Sequence, residues 1–254
     1  MPESKSNESC CKPELILNFK KSKPSNPSII VAFPGFGLIG LISTEFLIDH
    51  LGFEEVGKYW FEDLPATVAI HDSKMVSPVG IYYNTKYNVV LIHSISATHG
   101  LEWKAADVIL EIAEKVKGKE IICLDGVGVA GDIDPTKISS KAFYFTTSDS
   151  AKKKLDAIKA EQLKEGILLG VGPALLIKSD IPVITLFAET NSNLPDSSAA
   201  AVLVDALDGY LGIDIDSKPL LEMAAKFQDK LRKIVSESKK IQDMHDSKQL
   251  SYMG

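Results

Sequence analysis

Apolar positions along the chain switch between two periods. Ile29-Ile-Val-Ala-Phe33 is an unbroken, β-branched run closed by Pro34-Gly35, which predicts a strand buried on both faces. The period then lengthens. Ile39, Ile42 and Phe46 recur at helical spacing across residues 38–51, and Gly52 stands where a helix can close. Residues 56–61, 66–71 and 79–83 predict three strands separated by turn residues, with no helix-length pattern among them. Residues 88–95 predict another buried strand. Residues 101–116 give the clearest amphipathic helix: Leu101, Ala105, Val108, Ile112 and Val116 share one face, and Glu102, Lys104, Glu111, Glu114 and Lys115 take the other.

Further along, residues 120–125 predict a buried strand and 141–146 a more alternating one. Residues 151–164 are charged and predict a surface helix. Residues 166–178 mix Gly with apolar side chains and fit a strand, a loop or a buried helix. Residues 182–188 predict a strand, and 196–211 an Ala-rich helix ended by Gly212. Doubly buried strands alternating with helices predict an α/β fold with a mixed, largely parallel sheet flanked by helices. The inserted strands over 56–83 make it more than a simple doubly wound sheet. From Pro219 onward Leu220, Ala224, Phe227, Leu231, Ile234 and Ile241 fall at three- and four-residue steps, with Ser238 breaking the series. This heptad-like seam predicts a long C-terminal helix, either packed on its own body or leaving it. The expected organisation is a disordered leader (1–13), an α/β body (14–216), the helix (217–246) and a flexible tail (247–254).

Composition narrows the class. The 254 residues are 45% hydrophobic and 24% charged, ordinary for a globular protein, so wholesale disorder is excluded. No apolar run approaches the roughly 20 residues of a membrane span. A formal charge of −6 and a pI near 5.4 argue against nucleic acid as partner. Cys10, Cys11 and Cys123 form no Cys-x-x-Cys pair, so neither a disulfide framework nor a zinc site is expected. Cys123 fits a small buried hydrophobe, and the expected location is the cytoplasm.

Three glycine loops carry the candidate chemistry. Gly35-Phe-Gly37-Leu-Ile-Gly40 matches G-x-G-x-x-G between a strand and a helix, and Glu62 or Asp63 lies where a ribose-binding carboxylate can fall. The strand-rich stretch that follows and the missing N–H of Pro34 weigh against a dinucleotide site. Gly126-Val-Gly128-Val-Ala-Gly131 repeats the pattern, and Gly170-Val-Gly172-Pro173 is the third loop. None is a P-loop. Three such loops near strand ends can line one anion pocket, but tight structural connections are the preferred reading. His71, His93 and His99 lie at or near strand ends, and His99 is placed to pair with Glu102. Asp125 and Glu189 end apolar strands and make a distant carboxylate pair conceivable. None is assigned a catalytic role. The C-terminal Leu250-Ser-Tyr252-Met253-Gly254 is either a frayed end or a recognition peptide with an aromatic anchor and a free carboxylate.

Several of these segments together resemble the archaeal proteasome assembly chaperone family, homologues of the eukaryotic proteasome assembly chaperones. The resemblance lies in Phe33-Pro-Gly-Phe-Gly-Leu-Ile-Gly40, Glu62-Asp-Leu-Pro-Ala66, Asp125-Gly-Val-Gly128, the 166–172 loop and Leu186-Phe-Ala-Glu-Thr190. It implies a nucleoside-phosphorylase-like body without catalytic activity or cofactor. It also implies a homo-oligomer that binds proteasome core-particle α-subunits, with Gly35, Gly37, Gly40, Gly126 and Gly128 as structural loops. Family tails end in a hydrophobic residue, a Tyr and one final residue. Here Tyr252 is third from the end and Ser251 takes the hydrophobic slot, so Leu250, Tyr252, Met253 and Gly254 match only in part. The alternative reading is a phosphate- or nucleoside-dependent enzyme of the nucleoside-phosphorylase-like type.

Overall fold

The computed structural model describes residues 15–20, 22–71, 73–128, 141–190 and 194–225. The leader with Cys10 and Cys11, the tail with Leu250, Tyr252, Met253 and Gly254, and the seam beyond Ala224 lie outside the described residues.

The strands are β1 (Ser28–Ala32), β2 (Glu54–Tyr59), β3 (Ala69–His71), β4 (Lys74–Val76), β5 (Val79–Asn84), β6 (Val89–Ser94), β7 (Glu120–Gly128), β8 (Ala142–Thr146), β9 (Glu161–Gln162) and β10 (Val183–Thr190). The helices are α1 (Ile39–Leu51), α2 (Glu102–Val116), α3 (Asp149–Ala157), α4 (Val171–Lys178) and α5 (Ser197–Leu211). One eight-stranded sheet runs in the order β2-β5-β6-β1-β7-β10-β8-β9. Its centre, β6-β1-β7-β10, is parallel. Antiparallel β5 and β2 extend one side, and antiparallel β8, with β9 parallel to it, extends the other.

Alternation along each central strand feeds two cores. Ile30, Ala32, Leu91, Ile122, Leu124, Ile184 and Leu186 meet α1, α3 and α5 on one face. Ile29, Val31, Val90, Ile92, Ile121, Cys123 and Val183 meet α2 and α4 on the other. Every residue of β1 is at most 2% exposed. At about 2 kcal/mol per buried branched side chain, this strand anchors both layers. α1 ends at Gly52 with φ 68°, the left-handed stop expected of it. α5 is capped by the Asp196 carboxylate, which accepts from the N–H groups of Ser198 and Ala199.

The structure differs from the sequence pattern in four places. The charged stretch 151–164 is a shorter helix, α3, followed by the edge strand β9; Lys159 at φ 63° breaks the helix between them. The 66–71 stretch forms strand only over β3, which pairs with the unforeseen β4 in a separate hairpin. The 166–178 segment resolves as loop followed by α4. The fourth is a single antiparallel bridge ahead of β1, Leu17 to Gly57. A helix opens at 218–225, with Leu220 and Ala224 buried in the body. This start of the seam is docked.

Candidate functional site

A cavity of about 390 Å³ opens at the carboxyl ends of β1, β7 and β10, where open α/β sheets place ligands. Three connections build it: the Phe33–Phe36 turn after β1, the Ala97–His99 segment before α2, and the Gly170–Pro173 loop that starts α4. The chain passes itself closely here. A Cβ on Gly35 would stand 2.3 Å from Asp125 Oδ1, and one on Gly126 would stand 2.4 Å from the Phe36 carbonyl oxygen. A larger residue at Gly126 meets backbone and forces the Phe36 turn to move, whereas one at Gly35 must displace the Asp125 carboxylate. Gly37 adopts φ 62° and Gly40 lies in the first turn of α1. Gly128 ends β7 in open space. The Gly35 and Gly170 loops therefore wall one cavity, whereas Gly126 and Gly128 belong to strand β7 rather than to a loop, because β7 stays paired with β10 as far as Gly128, and Gly126 packs beneath Phe36.

The polar lining is acidic. Asp125 is partly buried at the cavity wall and accepts one hydrogen bond, 2.7 Å from the backbone N–H of Gly126. Burial pushes its carboxyl up to about 6, with that hydrogen bond opposing the rise. Glu102 also faces the cavity and accepts from the Gly100 N–H at 3.1 Å, so it does not take His99 as partner. Neither Lys nor Arg lines the space among the described residues. Thr185, 1% exposed, lines it as well, and its Oγ1 has no hydrogen-bond partner in the protein. Phe33, Phe36 and Phe187 complete an aromatic wall.

The other candidates are scattered. His93 lies near the end of β6, as expected, but is 4% exposed, with Nδ1 2.8 Å from Thr44 Oγ1. Burial holds its imidazole down at about 4, so it is neutral and structural. His71 ends β3 in the separate hairpin, away from the cavity. Glu189 lies two residues beyond Phe187 on β10 and does not join Asp125 in the lining. Asp63 is ion-paired to Lys104 on α2, and Glu62 lines a different cavity; neither approaches the Gly35 turn as a ribose ligand would. Cys123 is buried, free, and pushed up to about 12 by burial and then by the Asp125 charge, which makes it an inert hydrophobe. No group of three His, Cys, Asp or Glu side chains suited to a metal ion occurs among the described residues. No helix among them is long and apolar enough to cross a membrane.

A second cavity of about 540 Å³ lies under the β3–β4 hairpin, lined by Trp60, Leu64, Val68 and Met75. Its rim is apolar and exposed: Trp60 44%, Val68 55%, Met75 59%, with Ile70 at 70% directly across from Met75. A cluster of this kind marks an interaction surface.

The model of the PAC2 family matches residues 29–235, nearly all of the sheet and both glycine-walled turns. The chain belongs to the PAC2 family. An uncharacterised protein of Methanocaldococcus jannaschii is 25% identical over 219 residues, covering 85% of this chain and 88% of that one. Among solved structures, Pyrococcus furiosus PbaA, an archaeal homologue of proteasome-assembly chaperone, superposes with a TM-score of 0.73 at 26% identity, covering 87% of this chain and 95% of that one. Pyrococcus furiosus PbaB, an archaeal proteasome activator, shares the fold with a TM-score of 0.73 at 20% identity, covering 87% and 98%. The mixed, largely parallel sheet flanked by helices is thus the PAC2 fold. Within it, sequence reasoning found the turns and Asp125 but missed Thr185. The available signal was one hydroxyl inside the apolar run Val183-Ile-Thr-Leu-Phe-Ala188.

Proposed function

We propose that the chain is a proteasome assembly chaperone or adaptor, a non-enzymatic homo-oligomer that binds proteasome core-particle α-subunits. The observation that carries this reading is PAC2 membership across the whole sheet, together with 26% identity to a homologue of proteasome-assembly chaperone. The exposed Trp60, Val68, Ile70 and Met75 supply surface for subunit or partner contact. The C-terminal helix starts docked through Leu220 and Ala224, and the sequence beyond it ends in a tail that supplies Leu250, Tyr252, Met253 and Gly254 as contact residues in this reading. Several such tails in one oligomer gain avidity even where each binds weakly. The glycine turns act as scaffold, no cofactor enters the work, and the setting is the cytoplasm.

The phosphate- or nucleoside-dependent enzyme draws little support from the cavity. An anion there would meet Asp125 and Glu102 with no Lys or Arg among the described lining residues to answer it. Deleting residues 247–254 tests the tail. The truncated chain should fold with an unchanged melting temperature and lose α-ring binding in a pull-down. Undiminished capture would remove the tail from the account.

A further inference from the structure

We propose that the cavity at the carboxyl ends of β1, β7 and β10 is a binding site for a small molecule carrying a cationic nitrogen on a short apolar stem, an alkylamine or alkylguanidine. This site is separate from the contact surfaces above and does not depend on them.

Three independent features point to that chemistry. Among the described residues the charged groups in the wall are both acidic: Asp125 accepts one backbone N–H, and Glu102 reaches in from the start of α2. A buried carboxylate without a cation is an incomplete pair, and a ligand's ammonium or guanidinium completes it. Second, Thr185 Oγ1 is buried and unpartnered on the cavity floor. Gly172 leaves it uncovered: a Cβ there would stand 3.9 Å from that oxygen and 3.8 Å from Cβ of Cys123. Buried hydroxyls are paired in nearly all proteins, so one left open beside a cavity is a vacancy for a ligand donor. Third, Phe33, Phe36 and Phe187 offer apolar and π surface to an alkyl stem and its cationic head. The volume of about 390 Å³ is in the range of small-molecule sites.

Ionisation of Asp125 links binding to pH. Among the described residues the titratable groups facing it are His99 and Glu102 from the α2 side and Cys123 on its own strand; the α4, β1 and β10 walls bring none. Its carboxyl, pushed up to about 6, is about one-tenth ionised at pH 5 and nine-tenths at pH 7. Affinity for a cation rises about tenfold over that interval. Cys123, near 12, stays neutral over that interval.

The test is isothermal titration of the full chain with n-butylguanidine and n-butylamine, and with 1-butanol and inorganic phosphate as controls. At least one cationic probe should bind, about tenfold more tightly at pH 7 than at pH 5, while neither control binds. Asp125→Asn should weaken binding at least tenfold and flatten the pH dependence. Thr185→Val, nearly isosteric, should weaken it severalfold with an undiminished melting temperature, which separates a ligand role from a packing role. Binding of phosphate alone, equal binding of butanol, no binding at millimolar probe, or an Asp125→Asn variant that binds like the parent would each overturn the proposal.

Discussion

Strand β7 carries a carboxylate near each end, and the two are treated in opposite ways. Glu120 opens the strand almost fully buried and accepts from the Ser28 hydroxyl at 2.6 Å and the Tyr210 hydroxyl at 2.7 Å, with Lys119 Nζ at 3.8 Å. Burial, then the Glu120 bond, push the Tyr210 phenol up, so it stays a donor at any working pH. Asp125, five residues on, has one adjacent N–H and no cation. One end is a closed polar cluster that ties β1, β7 and α5 together. The other is an open one beside a cavity. The same residue chemistry on the same strand therefore marks structure where it is satisfied and a candidate site where it is not.

Substitutions can break this contrast. The largest effect belongs to Glu120→Ala, which strands two buried hydroxyls and should cost about 3–4 kcal/mol in urea unfolding; a loss under 1 kcal/mol would mean the amino-end cluster is not structural. His93 comes next. Its folded pKa of about 4 lies below the unfolded value near 6.5, so the stability it lends is complete above pH 6.5 and drains away as pH falls through 4. The loss should reach about 3 kcal/mol over that window, and His93→Gln should flatten it. A His93→Gln variant whose stability changes between pH 7 and 4.5 as the parent's does would contradict the buried neutral imidazole, because the opposite contribution of Asp125 is common to both chains. Asp125→Asn is smaller and opposite in sign to Glu120→Ala. Asp125 is raised to about 6 from an unfolded value near 3.9, so its contribution is present below 3.9 and lost as pH rises through 6. The amide should stabilise the fold by about 1–2 kcal/mol at pH 7 and by almost nothing near pH 4. Destabilisation at pH 7 would place Asp125 with Glu120 among structural carboxylates.

Much of this contrast was legible along the chain, though unevenly. Ile29-Ile-Val-Ala and Leu101–Val116 declare themselves because continuous burial and 3.6-residue spacing leave few other structures open. The Gly35 turn was visible as a turn, while Gly126 belongs to β7; that the two segments pass closely follows only from β1 and β7 being neighbours. Lys74–Val76 was hidden because a three-residue hairpin strand is too short for any period to show. His93 stands near the end of β6 as expected, but its burial against Thr44 comes from α1 and is not written in the strand. Thr185 counted as part of an apolar strand, and its missing partner is a property of the surroundings, not of the string. Leu220 and Ala224 fitted a docked and a departing helix equally well until their burial was known.

The claim that this PAC2 chain works by gripping the proteasome is tested most directly by mixing the full chain with recombinant proteasome α-subunits from the same source at micromolar concentration and following both by size-exclusion chromatography with light scattering. Co-elution in one peak, with a mass above either component alone, is the predicted result. Two peaks at the separate masses, unchanged at low salt, would contradict it.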